Sequence, residues 1–325
     1  PPSLVLIVMA DVLGRSVGDM YAGALLPGLL LTGLYVVWVL VNTLVRPHAV
    51  PALPAAARAL HGLALLNRVG VAMVPPLVLM FLVLGTIFIG WATPTEGGAM
   101  GAVGALALAA GKGRLNRRML TQALERTAQI TSFVVFILIG SSVFSLTFRA
   151  VDGDLWVEHL LTSLPGGVVG FLVFVNLLVF LLAFFLDFFE ISFIILPLLA
   201  PVAEKLGIDL VWFGVLLAVN MQTSFMHPPF GFALFYLRSV APPQVKTTQI
   251  YRGAIPFLGI QLLMVALIIA FPSLVRSPLG VPVAAAAAPI EVVAPPTQAR
   301  SLLDSPDFGD LLERQRALDT PDGPR

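Results

Sequence analysis

Long apolar runs broken by short polar connections govern this chain. Met20 to Val45 is apolar for long enough to cross a bilayer, which takes about 20 residues. Residues 70–91, with Pro75-Pro76 near their start as a kink, predict a second crossing. Residues 131–148 and 253–271 predict two more. A shorter run, 97–110, follows Thr93-Pro94-Thr95-Glu96, and a short apolar piece, 1–10, precedes a polar loop at 11–19. Residues 115–126 read as an amphipathic interfacial helix, because Leu115, Leu120 and Leu124 alternate with Arg and Gln. Leu155, Trp156, Leu160 and Leu161 predict a second one with an aromatic anchor.

The stretch 184–240 is the least ordinary. Residues 166–186 are apolar, Asp187 and Glu190 interrupt them, and the following apolar run, 191–203, is too short to cross. Residues 211–236 form one apolar segment broken at Asn220-Met221-Gln222-Thr223-Ser224-Phe225-Met226-His227-Pro228-Pro229. The connections 46–68, 112–126 and 238–252 carry the arginines and lysines and are expected inside the cell, whereas 11–19 and 149–165 hold acids and face outward. Residues 166–205 must then cross an even number of times. A re-entrant hairpin with its tip at Asp187 to Ser192 satisfies that parity, and such backbone is tolerated only within protein or beside a water-lined cavity.

Composition closes off other classes. With 58% hydrophobic and 11% charged residues and a mean hydropathy of +0.94, the 325 residues describe an all-α polytopic protein of the lipid bilayer. The net charge of +1 offers no field for nucleic acid, and the absence of Cys removes disulfides and thiolate chemistry. Residues 273–325 read as a tail outside the membrane, with Ala-, Pro- and Val-rich low complexity from Pro278 to Gln298. The opening Pro1-Pro2-Ser3 lacks a signal-peptide pattern, so further residues are expected upstream.

An internal repeat organises the rest. Pro1-Pro2, an apolar stretch, a polar loop and Tyr21-Ala22-Gly23-Ala24-Leu25-Leu26-Pro27 match Pro228-Pro229, an apolar stretch, a polar loop and Tyr251-Arg252-Gly253-Ala254-Ile255-Pro256. The matched loops, one acidic and one basic, belong on opposite faces, which is the signature of inverted-topology repeats with sites near the midplane. The expected divisions are 1–45 (remainder of the first repeat), 46–130 (spans, capped helix and interfacial arm), 131–272 (second repeat, hairpin 166–205, broken helix 211–240) and 273–325 (tail).

Ala92-Thr93-Pro94-Thr95-Glu96-Gly97, the opening Pro1-Pro2-Ser3, and Gly207-Ile208-Asp209 running through Asn220 to Pro228-Pro229-Phe230-Gly231 resemble the large membrane subunit of tripartite ATP-independent periplasmic (TRAP) transporters, over about residues 1–275. That resemblance implies an elevator-type secondary transporter of the bacterial inner membrane, driven by sodium and needing no other cofactor. It also implies two partners, a small membrane subunit and a periplasmic solute-binding protein that hands over an organic acid. The wording of Phe188-Phe189-Glu190-Ile191-Ser192 and Met221-Gln222-Thr223-Ser224-Phe225-Met226-His227 is closest to the branch associated with 2-oxo acids and lactate. Two features depart from the family: its first hairpin, expected before Pro1, is not among these residues, so that one of the two expected sodium sites would be incomplete within them, and the tail after 275 is outside the family pattern.

A small cation needs several oxygens at close range, and a broken helix supplies them without many buried charges. The ion-binding candidates are Asp187, Ser192, Asn220, Thr223, Ser224 and, by repeat symmetry, Ser3; the ion expected there is sodium, not a transition metal. The substrate-lining candidates are Glu190, Gln222, His227, Pro228 and Pro229. Plainer readings stand beside these. Asp187 and Glu190 equally suit a cap on the next helix, Asn220 and Gln222 suit interhelical hydrogen bonds, and His227 suits a packed residue. Thr93, Pro94, Thr95 and Glu96 fit a capping box with Pro at the first helical position, followed by Gly97 and Gly101 at close-packing spacing.

No enzyme is expected. His-Glu-x-x-His, Gly-x-Gly-Asp and a nucleotide-binding loop are missing, and the one Gly-x-Ser-x-Gly, Gly14 to Gly18, sits in a charged loop without a nucleophile elbow. The alternatives are a stand-alone symporter or channel of similar architecture and, more remotely, an intramembrane hydrolase.

Overall fold

The computed structural model describes residues 3–47, 61–227, 231–242 and 244–275, and among these all regular structure is helical. Its elements are α1 (Leu4–Val12), α2 (Val17–Val45), α3 (Gly62–Phe88), α4 (Pro94–Gly111), α5 (Arg117–Ala150), α6 (Gly153–Thr162), α7 (Gly167–Leu182), α8 (Phe188–Glu190), a π-helical turn (Ile191–Ile195), α9 (Leu196–Lys205), α10 (Leu210–Met221), a 3-10 turn (Gln222–Phe225), α11 (Phe232–Val240), α12 (Thr247–Ala270) and a 3-10 turn (Pro272–Val275). Helices α2, α3, α5 and α12 are long and apolar enough to cross a membrane, and α6 and α7 form a pair bent by 119°.

The core is built on α10. Its sequence is apolar on every side, so it is buried on every side, from Phe213 through Met221 without a gap. Helices α1, α2, α7, α9 and α12 surround it. Close approach depends on two glycines: a Cβ at Gly214 would lie 2.5 Å from Met20 Cε, and one at Gly23 would lie 3.1 Å from the Val275 carbonyl. Val275 is buried, so the turn 272–275 belongs to the packed body and the expected tail boundary at 273 moves past it. The remainder of that tail lies outside the described residues.

Helices α3 and α4 make a separate antiparallel pair. Gly97, Gly101 and Gly104 of α4 face Ile87, Val83 and Leu79 of α3, and a Cβ at Gly104 would sit 2.3 Å from Leu79 Cδ1. This is packing through small residues in lipid, where side-chain interlock replaces the hydrophobic effect. The expected capping box is present: Thr93 N–H donates to Glu96 Oε2 at 2.7 Å and Glu96 N–H to Thr93 Oγ1 at 3.3 Å, with Pro94 in the first turn and Thr95 after it. Most of the pair's side chains are exposed, including Phe81 at 78% and Trp91 at 80%, a surface that belongs in lipid.

Two boundaries differ from the sequence reading. The second span starts at Gly62, eight residues before 70, so Arg68 is already helical. The arm at 115–126 and the span at 131–148 are a single helix of 34 residues, capped by Asn116, whose Oδ1 accepts from Met119 N–H at 2.7 Å. At about 51 Å it exceeds the hydrocarbon thickness, so its basic first turns stand outside.

The middle of the chain folds back on itself. Helix α7, about 24 Å long, cannot span by itself. The chain turns at 183–187 and returns through α8, the π turn and α9. Lys205 at the end of the returning arm pairs with Glu158 of α6, and Arg15 meets Glu204 at 3.3 Å. The 11–19 loop, the 149–165 segment and the hairpin mouth therefore share one end of the molecule, in agreement with the charge-based parity argument.

Gly104→Val should overpack the α3–α4 contact and lower the stability of the detergent-solubilised protein by about 1–3 kcal/mol. Gly98→Ala, where nothing lies within 4 Å, should leave the thermal midpoint unchanged or slightly raised.

Candidate functional site

Helices α7 and α10 run parallel and, together with the segments that follow them, meet at three levels. Phe171 stacks on Phe213 with ring centroids 5.9 Å apart, Asn220 reaches Asn176 one level on, and His227 lies between Phe180 and Phe184 beyond that. The middle level is polar and buried. Asn220 Nδ2 donates to the Asn176 carbonyl at 2.7 Å and to Asn176 Oδ1 at 3.0 Å, while Asn176 Nδ2 donates to the Leu172 carbonyl at 2.8 Å. This fixes the Asn220 amide and leaves its Oδ1 buried with no partner.

The chain then tightens into the 3-10 turn. Thr223 Oγ1 donates to the Asn220 carbonyl and Ser224 Oγ to the Met221 carbonyl, each at 2.7 Å. With both hydroxyl hydrogens directed backward, their oxygen lone pairs remain available to a cation. Beyond the break, Gly231 N–H donates to the His227 carbonyl at 2.7 Å, and a Cβ on Gly231 would lie 2.6 Å from the Phe225 carbonyl oxygen. Only glycine lets the backbone close over the turn in this way. Pro228 and Pro229 lie outside the described residues.

The hairpin tip meets this break through aromatic rings. Phe184 stacks on His227 at 4.0 Å, Phe180 meets His227 edge-on at 4.6 Å, and Phe188 lies 6.1 Å from Phe225. His227 is 1% exposed, and neither ring nitrogen has a partner in hydrogen-bond geometry, although the Ala183 carbonyl approaches.

Asp187 and Glu190 form a capping box. Phe188 N–H donates to Asp187 Oδ1 at 2.7 Å and Asp187 N–H to Glu190 Oε2 at 2.9 Å. The turn falls at 183–187 instead of 187–192, and the helix starts at Phe188 instead of Ile191. Ser192 is thus inside the returning arm, fully buried, with its hydroxyl 4.0 Å from Met9 Sδ of α1. It lies in the π turn, which has a local cause. Pro197 has no N–H and its ring crowds the carbonyl four residues back, so the Phe193 carbonyl is released and accepts instead from Ser141 Oγ of α5.

Ser3 opens α1, its hydroxyl making no capping bond, and it lines one cavity together with Gln222. Gln222 Oε1 accepts from Gln261 Nε2 of α12 at 3.3 Å. Gln222 and Ser3 thus share a cavity, His227 meets the hairpin through Phe180 and Phe184, and the 188–192 segment reaches the break through Phe188 and Phe225 and α1 through Ser192. The Thr93–Glu96 motif instead starts α4.

The sequence reading missed Asn176, Gln261, Ser141, Tyr35 and the Phe180–Phe184 pair. Asn176 and Gln261 are lone amides on apolar helices, a signal that was present. Tyr35 carried none. Among the described residues no three His, Asp or Glu side chains converge, so the oxygens available for a cation are mostly neutral.

The family model described as "Tripartite ATP-independent periplasmic transporter, DctM component" matches residues 1–274. The C4-dicarboxylate TRAP transporter large permease protein DctM of Pseudomonas aeruginosa is 28% identical, over 84% of this chain and 62% of its own length. The sialic acid TRAP transporter large permease protein SiaM of Vibrio cholerae is also 28% identical, over 84% and 62%. The sialic acid TRAP transporter permease protein SiaT of Haemophilus influenzae is 26% identical, over 85% of this chain and 43% of its own length. This chain thus spans less than two thirds of the length of these relatives. The apolar helices and the family together make it a multi-pass protein of the bacterial inner membrane, of a transport family and not an enzyme. By the match to residues 1–274, the chain belongs to the DctM component family of tripartite ATP-independent periplasmic transporters.

Proposed function

We propose that this chain is the permease part of a sodium-coupled secondary transporter that imports a small organic acid. A periplasmic solute-binding protein delivers the acid, and a small membrane subunit completes the assembly. The observation that carries the reading is the Asn220 amide oxygen, buried without a donor at the end of α10 and two residues before the 3-10 turn Gln222–Phe225. An acceptor left bare in hydrocarbon costs about 1–3 kcal/mol, which a cation would offset.

The residues fit sodium. Asn220 Oδ1, Thr223 Oγ1 and Ser224 Oγ are uncharged oxygens close in sequence on a tightened turn, and hard cations favour oxygen ligands. Asp187 and Ser192 belong to the same reading as the hairpin's contribution, with Asp187 supplying a negative charge. Sodium at this turn would draw the hairpin tip and the break together and supply positive charge next to an anionic solute. His227 and Glu190, at the aromatic seam, would then form the wall that separates the ion from the acid. The acid is expected to be a 2-oxo or 2-hydroxy acid, from the wording of the hairpin tip and the break.

The two halves support an inverted relation and an elevator-type movement. Helices α1 and α11 each have nine residues, each precedes a polar loop, and each loop leads to a long helix with an internal proline, Pro27 in α2 and Pro256 in α12. Ser3, which starts α1, and Gln222, which starts the break, share a cavity, as midplane ends of two such halves would.

Uptake into proteoliposomes containing the assembled transporter tests the reading. Asn220→Leu should raise the sodium concentration for half-maximal uptake at least about tenfold, in line with the loss of a ligand oxygen in a buried site. An unchanged value removes Asn220 from the ion site. Asp187→Asn retains a capping acceptor while removing the charge. It should therefore fold normally and show weakened sodium dependence, whereas a cap without an ion role leaves that dependence as in the wild type. Gly231→Ala should abolish uptake by forcing the Phe225 carbonyl away; normal transport would show that the closed turn is dispensable.

A further inference from the structure

Apart from the aromatic seam, the structure holds a cavity of about 360 Å³ between α1, α2 and α10. Ser3, Thr32, Tyr35 and Gln222 supply its polar lining, and no charged side chain lines it. Tyr35 and Gln222 each carry a donor. The Tyr35 hydroxyl is buried without a partner, its ring set edge-on against Phe257 of α12 at 5.3 Å. Gln222 has its oxygen engaged by Gln261 Nε2, which leaves the NH2 on the other branch of the amide to face elsewhere. Gln261 is 2% exposed and stands one turn beyond Phe257, so α12 orients both donors. The Ser3 hydroxyl makes no capping bond at the amino end of α1, whereas Thr32 has spent its hydrogen on the Gly28 carbonyl at 2.8 Å.

A buried phenol O–H without an acceptor is costly, and a bound acceptor would offset that cost. A carboxylate accepts from a phenol and an amide together and has no hydrogen of its own to place. Hydrogen bonds to an ionised acceptor are also the strong kind. The volume lies at the small end of ligand pockets, which run from about 300 to 1,000 Å³, and suits a short-chain acid better than a bulky sugar acid.

We propose that this cavity receives the carboxylate of a short-chain organic acid, with Tyr35 and Gln222 as its donors and Gln261 as the positioning residue for Gln222. The proposal rests on the reading of the chain as an organic-acid permease and adds the residues that recognise the acid.

Two measurements separate the levels. The first is equilibrium binding of radiolabelled pyruvate, L-lactate and succinate to the purified permease in sodium chloride, with sodium binding titrated separately in the absence of acid. Tyr35→Phe removes one O–H and should weaken binding of the preferred acid about tenfold or more, with the sodium titration and the thermal midpoint unchanged. Gln261→Leu, similar in volume, should weaken it about three- to tenfold, again without a change in the sodium titration. Wild-type affinity in Tyr35→Phe, or a sodium titration that shifts in step with the acid, overturns the proposal. The second measurement is sodium-driven uptake by the assembled wild-type transporter. If that assembly moves a short acid while Tyr35→Phe binds it normally, the cavity assignment falls and the transport reading stands; if it moves none of the three acids, both fall.

Discussion

Hydrocarbon offers no partner to a polar group, so every amide at the centre of this molecule must be met from within. Asn220 sits where that constraint is tightest. One side of its amide is tied to Asn176 across two parallel helices, and the other is left with nothing. The architecture around it follows from that asymmetry. The 3-10 turn sends two hydroxyl hydrogens back to the Asn220 and Met221 carbonyls, and the hairpin brings an aromatic tip over the exposed end. What remains is a small set of side-chain oxygens close in sequence at the end of a helix otherwise apolar on all sides.

The same constraint explains the returning arm of the hairpin. Pro197 takes a hydrogen-bond donor out of the helix, the ladder widens into a π turn, and the released Phe193 carbonyl is met by Ser141 of α5. The hairpin is thereby fastened on three sides: to α10 through Asn176, to α1 through Ser192 and Met9, and to α5 through Ser141. At its mouth the fastening is ionic, through Lys205 and Glu204. The mouth is tied by exposed charges, while the tip is held by ring contacts and a cap internal to the hairpin.

Much of this could be read from the chain. Span positions follow from apolar run length, the Thr93–Glu96 cap from four adjacent residues, and the hairpin from the parity that the arginine-rich connections impose. The pairing of Asn176 with Asn220 could not be read, because it depends on the register of two helices 44 residues apart. Asp187 suited a cap and an ion ligand alike in the sequence, since both need an acid before a helix; in the structure one of its oxygens accepts from Phe188 N–H as a cap. The continuity of α5 was legible but masked. No Gly or Pro separates Arg117 from Ile139, yet the change from polar to apolar composition suggested a boundary where the backbone has none.

That unbroken helix has a mechanical consequence. Its apolar portion from Ile130 to Phe148 is about 28 Å long, a match for the bilayer interior, and its basic portion from Arg117 to Gln129 extends it as a stalk of about 20 Å. With no hinge between them, the stalk copies any inclination of the buried portion, and leaning it by about 10° sweeps the far end through roughly 3.5 Å. Through Ser141 the same rod touches the hairpin, so a shift beside the Phe193 carbonyl would be carried to the far end of the stalk.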